Sequence, residues 1–200
     1  MGGLIGVFGG TFDPPHLAHL ILADEARHEL ALEKVLWVVT AQPPHKPGRP
    51  ITPVEHRVEM VQRLMAADPA FELSRADLDR APPHYAIGTL EWLRERFPET
   101  GFVYLMGADS LRDLPEWHRP QAFLTACEKL VVMVRTGVDV DLNEVEALVP
   151  GVRDKVYFLS VPSLEISSED IRERVRAGRA FRYFLHPVVA SYILDHGLYQ

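Results

Sequence analysis

The sequence predicts an α/β fold, a mostly parallel sheet covered by helices on both sides. Three observations predict it. Short apolar runs recur along the chain without the strict alternation of a half-solvated strand. Segments with helical spacing separate those runs. Gly, Pro and Asp gather at the junctions, where chain reversals need them.

In order, Leu4 to Phe8 reads as a buried strand, and Leu17 to Leu30 as a helix with Leu17, Leu20, Ile21, Ala23 and Leu30 near one face. Val35 to Val39 is a second buried strand. The loop TAQPPHKPGRPITP that follows is too rich in Pro and Gly to be regular. Val54 to Met65 has helical period, Phe71 to Leu73 suits a short strand, and Tyr85 to Phe97 another helix. Three further strands are predicted in GFVYLMG from Gly101, in KLVVMV ending at Val134, and in KVYFLSV ending at Val161. Helices are predicted over Leu142 to Leu148 and Ser168 to Arg176, and the tail HPVVASYILDHGLY reads as a helix stopped by Gly197. Ligands of such sheets sit beyond the carboxyl ends of the strands, near a change in strand order.

The length of 200 residues fits a single domain over 1–200, with residues 165–200 able to form a small C-terminal helical subdomain. Lys and Arg number 21 against 28 Asp and Glu, a formal charge of -7 that argues against a general nucleic-acid binder. A small anionic ligand responds instead to the local potential of a cleft. Cys127 is the single cysteine, so no intrachain disulfide forms, which fits a reducing compartment. VLWVV and LVVMV are too short to span a membrane, and the N-terminus lacks the basic residues of a secretory signal. Gly6 stands where a myristoylation signal wants Ser or Thr.

The chemistry-bearing stretch is FGGTFDPPHLAH, Phe8 to His19. Gly9 and Gly10 just after a strand would let backbone N–H groups approach phosphate oxygens. Asp13 can cap the next helix, with Pro14 or Pro15 in its first turn. His16 and His19, three apart, would lean to one side of a helix start and clamp a phosphate, whose charge would favour their protonated forms. The same residues equally suit a plain turn and helix start. The pattern is neither GxGxxG nor a P-loop, and no third ligand supports a zinc site.

Later segments repeat the theme. His45, Lys46 and Arg49 in PPHKPGR can reach phosphate, or simply keep a loop soluble. In HYAIGTLEWL, Tyr85 and Thr89 can line a ring pocket or be half-buried helix residues. In LMGADSL, Gly107 ends a strand and Asp109 can accept ribose hydroxyls or cap a helix. Trp117 suits stacking on a ring or packing. In ISSEDIRERVRAG, Ser167 or Ser168 can cap a helix whose N–H groups face an anion. Arg172 lies one turn beyond Ser168, suited to phosphate or to a neighbouring Glu.

GGTFDPPHLAH resembles the signature of the nucleotidylyltransferase superfamily, with Ala18 where its HxGH-type element has glycine. From the first strand to the C-terminal HGLY, the chain is similar to the bacterial nicotinate-nucleotide adenylyltransferases. The resemblance implies a Rossmann-like, HxGH-type fold. It implies conversion of ATP and nicotinate mononucleotide to nicotinate adenine dinucleotide and pyrophosphate, in NAD biosynthesis. It places Gly9, Gly10, Thr11, Phe12, His16, His19, Gly107, Asp109, Ser167, Ser168 and Arg172 at ATP. It places Lys46, Tyr85, Thr89, Asp109 and Trp117 at the second substrate, and makes His16, His19, Lys46 and Arg172 the catalytic set. Glu169 departs from the motif ISSTxIR, so it is left out of that set. Mg²⁺ is expected to enter with ATP as co-substrate, without protein metal ligands. The expected setting is cytoplasmic, with neither nucleic acid nor membrane as partner and with assembly into a homo-oligomer left open. The alternatives are a related transferase acting on nicotinamide mononucleotide or pantetheine phosphate, and a nucleotide sensor without turnover.

Overall fold

The computed structural model of the protein describes residues 3–42, 50–134, 140–161 and 164–200. The first half runs β1 (Leu4–Gly10), α1 (Leu17–Glu29), β2 (Lys34–Val39), α2 (Val54–Met65), β3 (Phe71–Ser74), α3 (Ala76–Asp79) and α4 (Ala86–Arg96). The second runs β4 (Gly101–Gly107), α5 (Ala108–Arg112), α6 (Pro120–Ala126), β5 (Lys129–Met133), α7 (Leu142–Leu148), α8 (Val152–Lys155), β6 (Val156–Leu159), α9 (Ser168–Arg176) and α10 (Pro187–Asp195).

The strands form one six-stranded sheet in the order β3-β2-β1-β4-β5-β6. All five pairings are parallel. The chain works outward from β1 to β3, then returns to lay β4 on the other side of β1. Between β1 and β4 the crossovers diverge, which opens a crevice at the strands' carboxyl ends.

Both faces of the sheet are dry, which is why its strands read as continuous apolar runs. On one face Phe8, Trp37, Leu105 and Val131 pack with Leu22 of α1, Met60 of α2, Ile171 of α9 and Ile193 of α10. On the other, Val7, Val38, Tyr104 and Val132 pack with Leu90 of α4, Phe123 of α6 and Val145 of α7. Residues beyond 165 therefore share a core with β1 and β2.

The structure departs from the sequence reading in several places. β1 continues through Gly9 and Gly10, which pair with Val38 and Val39, so the glycines end the strand and are not its turn. The buried stripe of α1 is Ala18, Leu22, Ala23 and Ala26. Leu17, Leu20 and Leu30 lie at its half-buried margin, because small side chains let the helix approach the sheet closely. The last strand starts at Val156, since α8 takes up the residues before it. Its Phe158 is 43% exposed, as befits an edge. The short helices α3, α5, α6 and α8 carry too few turns to show a periodicity.

Candidate active site

At the crevice, a hollow of about 280 Å³ is lined by Gly9, Gly10, Thr11 and Gly107, with Thr89, Tyr85 and Trp117 along one wall. Close approach explains the glycines. A Cβ at Gly9 would fall 2.5 Å from the Tyr104 hydroxyl oxygen, and one at Gly10 would lie 2.9 Å from the Phe12 ring. Phe12 itself takes the left-handed φ of +50° that turns the chain out of β1. Its ring is buried edge-on to Phe8, at 5.3 Å between centroids, so it shapes the loop from beneath. At Gly107 the space is filled by the Asp109 carboxylate, which folds back over it. Gly107, not Asp109, is the N-cap of α5.

A second hollow of about 290 Å³ is lined by Asp13, His16, Ser167, Ser168, Glu169 and Arg172. Thr11, His19 and Asp109 border both hollows, so the two are halves of one cleft.

The N-cap of α1 is His16, not Asp13. The His16 backbone N–H donates to His19 Nδ1 at 3.1 Å, and the two rings stack at 3.6 Å with 22° between their planes. Since Nδ1 accepts here, a neutral His19 carries its proton on Nε2.

Asp13 has another task. Only 4% exposed, it accepts the Tyr199 hydroxyl on Oδ1 at 2.8 Å and the Thr52 amide on Oδ2 at 3.3 Å. Ser167 Oγ caps α9 by accepting from the Asp170 amide at 3.1 Å. Ser168 Oγ donates to the Pro14 carbonyl at 2.8 Å, and Arg172 Nη1 to the Asp13 carbonyl at 2.7 Å. One turn of α9 is thus clamped onto the loop after β1, as the four-residue spacing allows. Glu169 is exposed and faces the same hollow.

Beneath the cleft lies Arg57, 1% exposed. Its guanidinium donates to four carbonyls: Thr52, Thr11 and Thr40 at 2.8 Å each, and Ala41 at 3.0 Å. Burial lowers its pKa, and the charge of nearby Asp13 works against that shift.

At the far end, the Thr89 hydroxyl donates to Asp77 Oδ1 at 2.7 Å, and Arg80 Nη2 donates to the same oxygen at 2.9 Å. Tyr85 stacks on His118 at 4.2 Å. Trp117 stands 5.0 Å from the Phe123 ring and 6.2 Å from that of Tyr104. Tyr104 is buried, which pushes its phenol well above the ordinary range. His84, 6% exposed, also lines the hollow, and its Nδ1 has no hydrogen-bond partner among the described residues. Burial lowers its pKa, Asp77 opposes that, and Arg80 reinforces it.

The cleft therefore unites Gly9, Gly10, Thr11, His16, His19, Gly107, Asp109, Ser167, Ser168 and Arg172 with Tyr85, Thr89 and Trp117. Lys46, with His45 and Arg49, lies outside the described residues. Asp77, His84, Arg57, His118 and Tyr199 were missed. His84 stands next to Tyr85 in HYAIGTL, the one signal that pointed near it. Among the described residues, no group of three or more His, Cys, Asp or Glu side chains is placed to hold a metal ion. No described helix is long and apolar enough to cross a membrane.

The cytidylyltransferase-like family model matches residues 7–174. A probable nicotinate-nucleotide adenylyltransferase of Thermomicrobium roseum is 45% identical, over 98% of this chain and 91% of its own length. The corresponding protein of Thermus thermophilus is 42% identical, over 98% and 99%. Among solved structures, Plasmodium falciparum nicotinic acid mononucleotide adenylyltransferase complexed with NaAD superposes with a TM-score of 0.81. That match covers 98% of this chain and 97% of the other, and at 20% identity it is a likeness of fold.

Proposed function

Since the chain belongs to the cytidylyltransferase-like family, and within it to the nicotinate-nucleotide adenylyltransferases, we propose how its cleft divides between ATP and nicotinate mononucleotide. The reaction joins the two into nicotinate adenine dinucleotide and releases pyrophosphate. The mononucleotide phosphate attacks the ATP α-phosphorus in line with the leaving pyrophosphate. That phosphate is already a nucleophile, so the protein need only align the partners and stabilise charge on the phosphoryl oxygens.

The triphosphate lies in the half bounded by His16, His19, Ser168 and Arg172, where donors converge from α1, α9 and the loop after β1. His19 meets the phosphates through Nε2, its Nδ1 being engaged by the His16 amide. Arg172, anchored at one Nη on the Asp13 carbonyl, directs remaining N–H groups to β- and γ-phosphate oxygens. Asp109 accepts ribose hydroxyls at the boundary of the two halves. Lys46 adds a cation to the same phosphates. Mg²⁺ arrives on ATP, held by phosphate oxygens and water, where it offsets phosphate charge. The acceptor's pyridine ring enters the other half, against Trp117 and Tyr85, above Thr89.

A single observation carries this assignment. Thr11, His19 and Asp109 border both halves, so one substrate's phosphate can reach the other's without leaving the cleft. Incubation with ATP and a panel of acceptors, reading pyrophosphate release, tests it. Release is expected with nicotinate mononucleotide and much less with its carboxamide analogue or pantetheine phosphate. Nucleotide binding with no release from any acceptor would make the protein a sensor.

A further inference from the structure

Tyr199 and Asp13 are 186 positions apart, yet the Tyr199 hydroxyl donates to Asp13 Oδ1 at 2.8 Å. The tail is turned onto that spot by its backbone. Gly197, at φ +60°, reverses the chain after α10, and the Leu198 amide donates back to the Ile193 carbonyl at 3.0 Å. Tyr199 itself is held at φ +67°. That left-handed conformation crowds a Cβ, so it persists only where the surroundings over-determine it. Its ring packs against the core face shared by β1 and β2, and its hydroxyl lines neither half of the cleft.

Asp13 converts this remote contact into local geometry. Its carboxylate is held from two sides, by Tyr199 and by the Thr52 amide. Its carbonyl is the acceptor of Arg172 at 2.7 Å. Thr52 is in turn fixed through its own carbonyl by Arg57, which also holds Thr11. A buried carboxylate that loses one donor must reorient or draw in water, and here its own backbone carries the guanidinium's anchor.

We propose that Tyr199 is a positioning residue for the triphosphate half of the cleft, acting through Asp13 on Arg172. The inference rests on the reading above that Arg172 meets ATP. Tyr199→Phe keeps the ring in its slot and removes only the hydroxyl. ATP affinity measured by calorimetry is expected to weaken about tenfold, the worth of one hydrogen bond to a charged group. The acceptor's KM is expected to change by less than about twofold, since the ring half of the cleft is untouched. In a double-mutant cycle with Arg172→Lys, the two losses are expected to be strongly non-additive.

A lowered melting temperature with unchanged ATP affinity would show a mere anchor for the tail and overturn the proposal, as would additive losses in the cycle. Binding separates this inference from the proposed function. A protein that releases no pyrophosphate with any acceptor defeats the reaction, while the coupling between Tyr199 and Arg172 in ATP binding is still measured. Turnover with an indifferent Tyr199→Phe variant defeats the inference alone.

Discussion

His19 serves two purposes with one ring. Nδ1 closes the helix start by accepting the His16 amide at 3.1 Å, and Nε2 is the atom proposed above to meet the reacting phosphates. His19→Ala is expected to lower kcat by about 10²- to 10³-fold, the effect of losing one preorganised donor. ATP affinity, read by calorimetry, should move far less. His84 is a second residue whose environment sets its chemistry. Burial holds its pKa below the ordinary 6.5, so the unfolded chain binds the proton more readily than the folded one. Stability is then complete above about pH 6.5 and falls as pH drops below it, levelling off once the depressed folded pKa is passed. His84→Gln is expected to flatten that acid limb of the melting temperature against pH, while leaving the curve above pH 7 close to the parent's.

Elements with their own start and stop signals were legible residue for residue. β4 is bounded by Gly101 and Gly107, α2 opens after Pro53, and α9 is capped by Ser167. The start of α1 at Leu17 was read correctly but its cap was not, because Asp13 has the chemistry of a cap but is spent on Thr52 and Tyr199, leaving the task to His16. α9 matters beyond its own stability, since Ser168 and Arg172 project from its first two turns onto the loop after β1. Ser167→Ala is expected to cost about 1 kcal/mol in denaturant unfolding. Fraying of that turn should also raise the KM for ATP. Of the cleft, the glycines, histidines and α9 residues were visible because each sits at the end of a predicted element. Asp77 and His84 were not, since Asp77 lies in a helix too short to show a periodicity and its pairing with Arg80 and Thr89 depends on how the chain turns between α3 and α4.

For the molecule as a whole, Arg57 shows what a linear reading cannot reach. In α2 it looks like one more arginine on a solvated face, yet it is buried and binds carbonyls from residues 11, 40, 41 and 52. These flank the ends of β1 and β2 and the start of α2, so one side chain ties the loop after β1 to its neighbours. Arg57→Met is expected to destabilise by about 3–5 kcal/mol, because four carbonyls and the buried Asp13 carboxylate lose their compensation. Equilibrium unfolding in urea measures it. The order of the strands has a consequence for how such a protein is born. β1 leaves the ribosome before either of its neighbours, and one of its two flanks stays bare until Gly107 has cleared the exit tunnel, while Asp13 waits longer still for Tyr199. The nascent chain thus carries β1 with one edge unpaired until β4 is made, and that edge is open to wrong pairing in the interval.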